Sequence, residues 1–229
     1  LSKGEFYRMA EKEKPTDLIV RISEAICICE TDEDEIKYPL CRSKLPDDVL
    51  SIKSFTGLKI RHFLNNLCEP PSTIFLEIGT WHGGTAAAAA FGNSGSFTTV
   101  DRFSDFGGSA EGTRANFAAA GVNVRLIEAD CWEIPMPHLP QGVNVFFYDG
   151  AHDYESHRRA LSHFAEVMAP LFVFLIDDWE DPLVRHATFK GIEEMGMRTL
   201  AYLWLGSERH EDEGGWWNGL GVFVLNKGG

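Results

Sequence analysis

Positive charge is what this sequence is shortest of: 21 lysines and arginines face 34 aspartates and glutamates, a formal net charge of −13. Nucleic acids and anionic membranes are held by basic surfaces that release counterions, so the chain is expected to bind neither and to act on a small molecule. Long apolar runs are missing as well. No stretch reaches the about 18 apolar residues of a membrane-spanning helix, and no signal-peptide pattern is visible, so a cytoplasmic location is expected. The cysteines form no framework: Cys27, Cys29, Cys41, Cys68 and Cys131 are odd in number and lack the spacing of a zinc knuckle. They are expected to be reduced, small buried residues.

What the chain does have is a core, with 44% of its 229 residues hydrophobic, enough for one domain with an appendage. Its centre is Ile74–Ile78, an apolar run of strand type, followed by the turn Gly79-Thr80-Trp81-His82-Gly83-Gly84-Thr85 and five alanines, Ala86–Ala90. Residues 72–229 then alternate strands with helices, the pattern of a parallel sheet covered on both faces. Strands are expected over 97–100, 122–127, 143–148, 171–176, 199–205 and 220–225, the last two as a closing antiparallel pair. Helices are expected over 111–120, 156–169 and 183–195. Residues 1–71 read as an N-terminal helical cap, with a helix over 17–29, an acidic solvated run Glu30–Glu35, and a second helix over 58–67 capped by Thr56.

The turn restricts the ligand. A dinucleotide fingerprint requires glycine at the third position, where Trp81 stands, and a triphosphate loop requires a lysine that this turn lacks. An acid followed by Gly-x-x-x-Gly suits an adenosine without a phosphate chain.

Acids recur at the strand ends: Glu77, Asp101, Asp130, Asp149 and Asp177 with Asp178. In open α/β sheets the ligand crevice lies outside the carboxyl ends of the strands, so these acids should converge. Asp101 follows Gly79 by the about 20 residues that separate a glycine turn from a ribose-binding acid. Asp130 stands where an adenine amino group would be received, with the Cys131 amide facing a ring nitrogen and Trp132 covering the base.

Taken in order, Glu77-Ile78-Gly79-Thr80, Val100-Asp101, Ala129-Asp130-Cys131, Asp149-Gly150-Ala151-His152-Asp153-Tyr154 and Ile176-Asp177-Asp178-Trp179 resemble the class I S-adenosylmethionine-dependent methyltransferases. The likeness is strongest to small-molecule O-methyltransferases with Asp-Gly-x-His-x-Tyr and Asp-Asp motifs. It implies a Rossmann-like, doubly wound, seven-stranded, mostly parallel sheet with an antiparallel last strand. The implied cofactor site is Glu77, Gly79, Thr80, Trp81, Gly83, Thr85, Asp101, Arg102, Asp130, Cys131 and Asp149. Asp149 and His152 are the candidate catalytic residues, and Asp149, Asp177 and Asp178 the candidate ligands of Mg²⁺. The sequence departs from the family pattern at Ala151, where many relatives carry another acid. Two alternatives stand beside O-methylation of a small molecule: an NAD-linked oxidoreductase, against which Trp81 argues, and a non-catalytic binding module of the same fold. A homo-oligomer is compatible with either.

Overall fold

The computed structural model describes residues 14–29, 43–206, 211 and 213–228. The acidic run 30–35, Cys41, Glu208 and Asp212 lie outside the described residues, as do the side chains of Cys27 and Cys29. The elements run α1 (Pro15–Cys29), α2 (Asp47–Leu50), α3 (Leu58–Leu67), β1 (Ile74–Ile78), α4 (Gly84–Ala90), β2 (Ser96–Asp101), α5 (Ala110–Ala119) and β3 (Arg125–Glu128). They continue with β4 (Val143–Tyr148), α6 (Tyr154–Phe164), β5 (Met168–Ile176), α7 (Pro182–Glu194), β6 (Arg198–Leu205) and β7 (Leu220–Asn226). The sheet order is β3-β2-β1-β4-β5-β7-β6. Strands β1 to β5 are parallel, and β7 lies antiparallel between β5 and β6. This is the expected Rossmann-like sheet with its antiparallel last strand.

Side chains alternate between two buried faces because successive residues of a strand point to opposite sides. Val173 and Leu175 of β5, with Val222 and Val224 of β7, meet Leu18, Ile22, Phe63 and Leu64 of α1 and α3 on one face. Phe172, Phe174 and Ile176, with Phe223 and Leu225, meet Leu161, Phe164, Val184 and Ile192 of α6 and α7 on the other. The N-terminal helices therefore share the sheet's own core. Every alanine from Ala86 to Ala90 is buried, and a side chain of one methyl lets α4 lie close on its neighbours.

Three expectations are corrected. Thr56 does not cap α3: Gly57 does, with no side-chain bond. The first amides of α3 donate instead to the carbonyls of Glu213 and Gly215, from Leu58 at 2.8 Å and Lys59 at 3.1 Å. A Cβ at Gly57 would meet the Gly215 carbonyl at 2.2 Å, so only glycine permits this clasp. The helix expected to reach 169 ends at Phe164, and β5 begins at Met168. Pro170 thus sits inside a strand, where the β4–β5 register shifts between Val143 and Val145, an irregularity that tolerates a missing N–H. Strand β3 starts at Arg125, not at residue 122.

Candidate functional site

A cavity of about 870 Å³ opens at the carboxyl ends of β1 to β5. Its first wall is the glycine turn. Gly79 has φ +91°, and a Cβ there would meet the Asp149 carbonyl at 1.8 Å, so glycine alone lets β1 and β4 close up at this point. Asp101 holds the turn: its Oδ2 accepts from the amides of Thr80 and Trp81, both at 2.8 Å, and its Oδ1 from Phe103 at 2.7 Å. A carboxylate offers about four lone-pair sites, so one remains for a ribose hydroxyl and not two for a diol. The arrangement also stands against an NAD-type pyrophosphate, because the amides that would cradle it already face a carboxylate.

Glu77 and Gly83 do not line the cavity. Glu77 is fully buried, accepting hydrogen bonds from Thr85 and Thr99, and burial pushes its carboxyl up to about 8. It ties β1 to α4 and β2. A Cβ at Gly83, φ +85°, would strike the Phe117 ring at 2.5 Å, so this glycine serves the packing of α5. Thr85 reaches the cavity wall, but its hydroxyl is committed to Glu77.

Next along the wall stand Arg102, Asp130, Cys131 and Trp132. Arg102 spans Asp105 at 2.9 Å and Asp130 at 3.6 Å. Asp130 Oδ1 accepts from the Trp132 amide at 3.0 Å, and the Arg159 guanidinium lies 3.7 Å from the centre of the Trp132 ring. Cys131 is half-buried at the wall, not a core residue. Burial pushes its thiol up to about 12, leaving it neutral and unreactive.

The floor is acidic. Asp149, Asp177 and Asp178 come together as the sequence suggested, and His152 lies among them, with Nδ1 2.7 Å from Asp178 and Nε2 3.8 Å from Asp149. The neighbouring carboxylates of Asp149 and Asp178 push His152 up to about 11, so it is an imidazolium. Burial raises Asp149, and burial with the charges of Asp149 and Asp178 raises Asp177 well above the carboxylate range. Burial also acts on Asp178, but bonding to His152 outweighs it and holds this carboxyl low. Asp181, not Asp178, caps α7 by accepting from Leu183. That leaves Asp178, at φ +51°, facing His152 and Asn218.

Two groups went unassigned in the sequence because their contacts are long-range. Asn218 donates to Asp178 Oδ1 at 3.0 Å and accepts from the Glu211 amide at 2.9 Å. Phe55, just ahead of α3, stacks on Trp81 with centroids 4.0 Å apart and 9° between planes. Phe106 and Trp217 flank Phe55 at 6.1 and 6.4 Å, and all four rings line the cavity. Trp81 holds φ +46° and donates from Nε1 to the Phe106 carbonyl at 3.0 Å. His157 is buried beside Tyr148 with neither ring nitrogen bonded among the described residues, and burial pulls it down to about 4.

Residues 76–179 match the family model described as a methyltransferase domain. No curated protein matches the chain in sequence. Among solved structures, a putative O-methyltransferase from Klebsiella pneumoniae aligns over 98% of this chain and 96% of its own, at 18% identity and a TM-score of 0.54. An O-methyltransferase from Bacillus cereus in complex with S-adenosylhomocysteine aligns over 97% and 96%, at 14% identity and a TM-score of 0.52. A putative caffeoyl-CoA O-methyltransferase from Staphylococcus aureus aligns over 67% and 76%, at 16% identity and a TM-score of 0.51. The methyltransferase-domain match lies on β1 to β5, at whose carboxyl ends the cavity opens, and the solved structures share this chain's fold.

Proposed function

We propose that the chain is a class I S-adenosylmethionine-dependent methyltransferase acting on a hydroxyl oxygen of a small molecule, with residues 1–71 as a cap and 72–229 as the donor-binding domain. The observation that carries the reading is the acidic floor, where a buried carboxyl with raised proton affinity, Asp149, stands beside the His152–Asp178 ion pair. Gly79, Thr80 and Trp81 are assigned to the methionine portion of the donor, Asp101 and Arg102 to its ribose, and Asp130, Cys131 and Trp132 to its base. When bound, S-adenosylmethionine supplies a methyl group already activated on a sulfonium. The protein then has to hold an acceptor in line, exclude water and take one proton. Asp149 suits the last task, because a carboxylate whose affinity for a proton is raised toward the working pH is the better general base. His152, already protonated, orients Asp149 and Asp178 and compensates their charge.

Mg²⁺ takes no step in this account. Asp149 and Asp178 face His152, and no group of three or more ligating side chains among the described residues is arranged around a metal position. Methyl transfer should survive exhaustive chelation; its loss would mean that the carboxylates regroup around an ion. The acidic chain, net −13, favours a small acceptor over nucleic acid and a cytoplasmic setting over a membrane surface. No helix among the described residues is long and apolar enough to cross a membrane.

The test is calorimetry with S-adenosylhomocysteine followed by methyl transfer to a hydroxyl panel, with Asp149→Asn alongside. The parent should bind and turn over, and the variant should bind and turn over at least about 100-fold more slowly. Transfer to nitrogen acceptors alone would overturn the oxygen assignment.

A further inference from the structure

We infer that the acceptor is a neutral, planar hydroxyaryl compound, its ring held by Phe55, Phe106 and Trp217 and its hydroxyl turned toward the Asp149–His152–Asp178 floor. The inference rests on the methyl-transfer reading above. Its first support is the exposure of the rings. Phe55 is 49% and Phe106 81% exposed, although both line the cavity and lie within aromatic contact of each other. Apolar side chains gathered at a cavity mouth, and not scattered singly over a surface, are surface waiting to be covered.

The backbone is bent to keep them there. Phe103 and Phe106 hold φ of +54° and +59°, a left-handed conformation that is costly for bulky residues, and Gly107 follows at +72°. The Trp81 indole fixes this loop through the Phe106 carbonyl. Strain of this kind persists where the surroundings over-determine it, and it collects at ligand sites.

The third support is where the rim leads. Trp217, flanking Phe55, is the immediate neighbour of Asn218, which donates to Asp178. The aromatic rim and the acidic floor are therefore joined through two consecutive residues. A flat ring laid on the rim would have its substituent directed down to the acids. Asp105 is paired with Arg102, but the floor sets the three carboxyls of Asp149, Asp177 and Asp178 against the single ring of His152, which disfavours a carboxylated or phosphorylated acceptor. The volume, about 870 Å³, lies near the top of the about 300–1,000 Å³ range of ligand pockets and suits two small molecules side by side.

The experiment loads the protein with S-adenosylhomocysteine and titrates 2,3-dihydroxynaphthalene, catechol and methyl β-glucoside, following tryptophan fluorescence and heat. The naphthalene diol should bind best, catechol next, and the glucoside at least about tenfold more weakly than the diol. Phe106→Ala should weaken the diol by about fivefold, as expected for one aromatic contact, with affinity for S-adenosylhomocysteine unchanged. Phe106→Trp should restore it. With Phe106 so exposed, the unchanged S-adenosylhomocysteine affinity also certifies that the alanine variant is folded. Equal binding of glucoside and diol, or a diol affinity indifferent to Phe106→Ala, would overturn the inference while leaving methyl transfer intact. Failure to bind S-adenosylhomocysteine would instead remove the reading on which it rests.

Discussion

The cavity has two ends built by different means. At the turn after β1, backbone does the holding: Asp101 gathers three amides, and Gly79 admits the Asp149 carbonyl where no other residue fits. At the floor and rim, side chains from distant segments hold one another: Phe55 from just ahead of α3, Phe106 from the loop after β2, His152 and Asp178 from the ends of β4 and β5, Trp217 and Asn218 from the last connection. Backbone geometry of the first kind is rigid and tolerates little substitution. Side-chain assemblies of the second kind can be altered one member at a time, which suits the end that would choose an acceptor.

The harshest way to test that division is Gly79→Ala. A methyl placed 1.8 Å from a carbonyl oxygen, at φ +91°, should cost about 5 kcal/mol or more and leave no measurable binding of S-adenosylhomocysteine. Denaturant unfolding reads the first effect and calorimetry the second; a stable variant that still binds would show the turn to be more pliable than described.

Glu77 gives a pH test of the same end. Its folded carboxyl holds a proton up to about 8, whereas the unfolded one releases it near 4.5, so the folded state binds more protons between these values. Stability should therefore fall as pH rises from about 4.5 to about 8, by on the order of 4 kcal/mol from this residue. Glu77→Gln should flatten the fall in melting temperature over that window; an unaltered slope would mean that Glu77 is ionised in the fold.

At the other end, Asp178→Asn should slow methyl transfer by about 100-fold while S-adenosylhomocysteine affinity stays within about twofold. His152, deprived of its 2.7 Å partner, should titrate below its present value of about 11, which an NMR titration follows directly. A collapse of cofactor affinity in this variant would show that the two ends are not separable. The mildest change, Arg159→Ala, removes the cation from the Trp132 face and should weaken S-adenosylhomocysteine by about threefold, readable by calorimetry.

The sequence disclosed these ends unequally. Strand periodicity, the glycine turn and the acids after each strand mark the sheet and the cavity floor, because each is a local pattern tied to one element. Glu77 shows the limit of that logic: an acid at a strand end can point into the cavity or into the core, and two threonines at distant positions, Thr85 and Thr99, decide for the core. The cap of α3 escaped for a related reason, since Thr56 is a fit capping residue but carbonyls more than 150 positions away take the amides. Phe55, Phe106 and Asn218 carry no motif at all, and their importance exists only once the chain is folded.

The clasp between Gly57 and Gly215 bears on the order of assembly. Closing so long a loop is entropically slow, and contacts of such separation are characteristically late. Strands β1 to β4 and their helices can form from neighbouring segments, whereas α3 gains its terminal hydrogen bonds, and the cavity its rim, only when the final connection docks. A refolding chain should therefore acquire a cofactor pocket before an acceptor pocket, passing through a state that holds the donor with nothing to receive its methyl group.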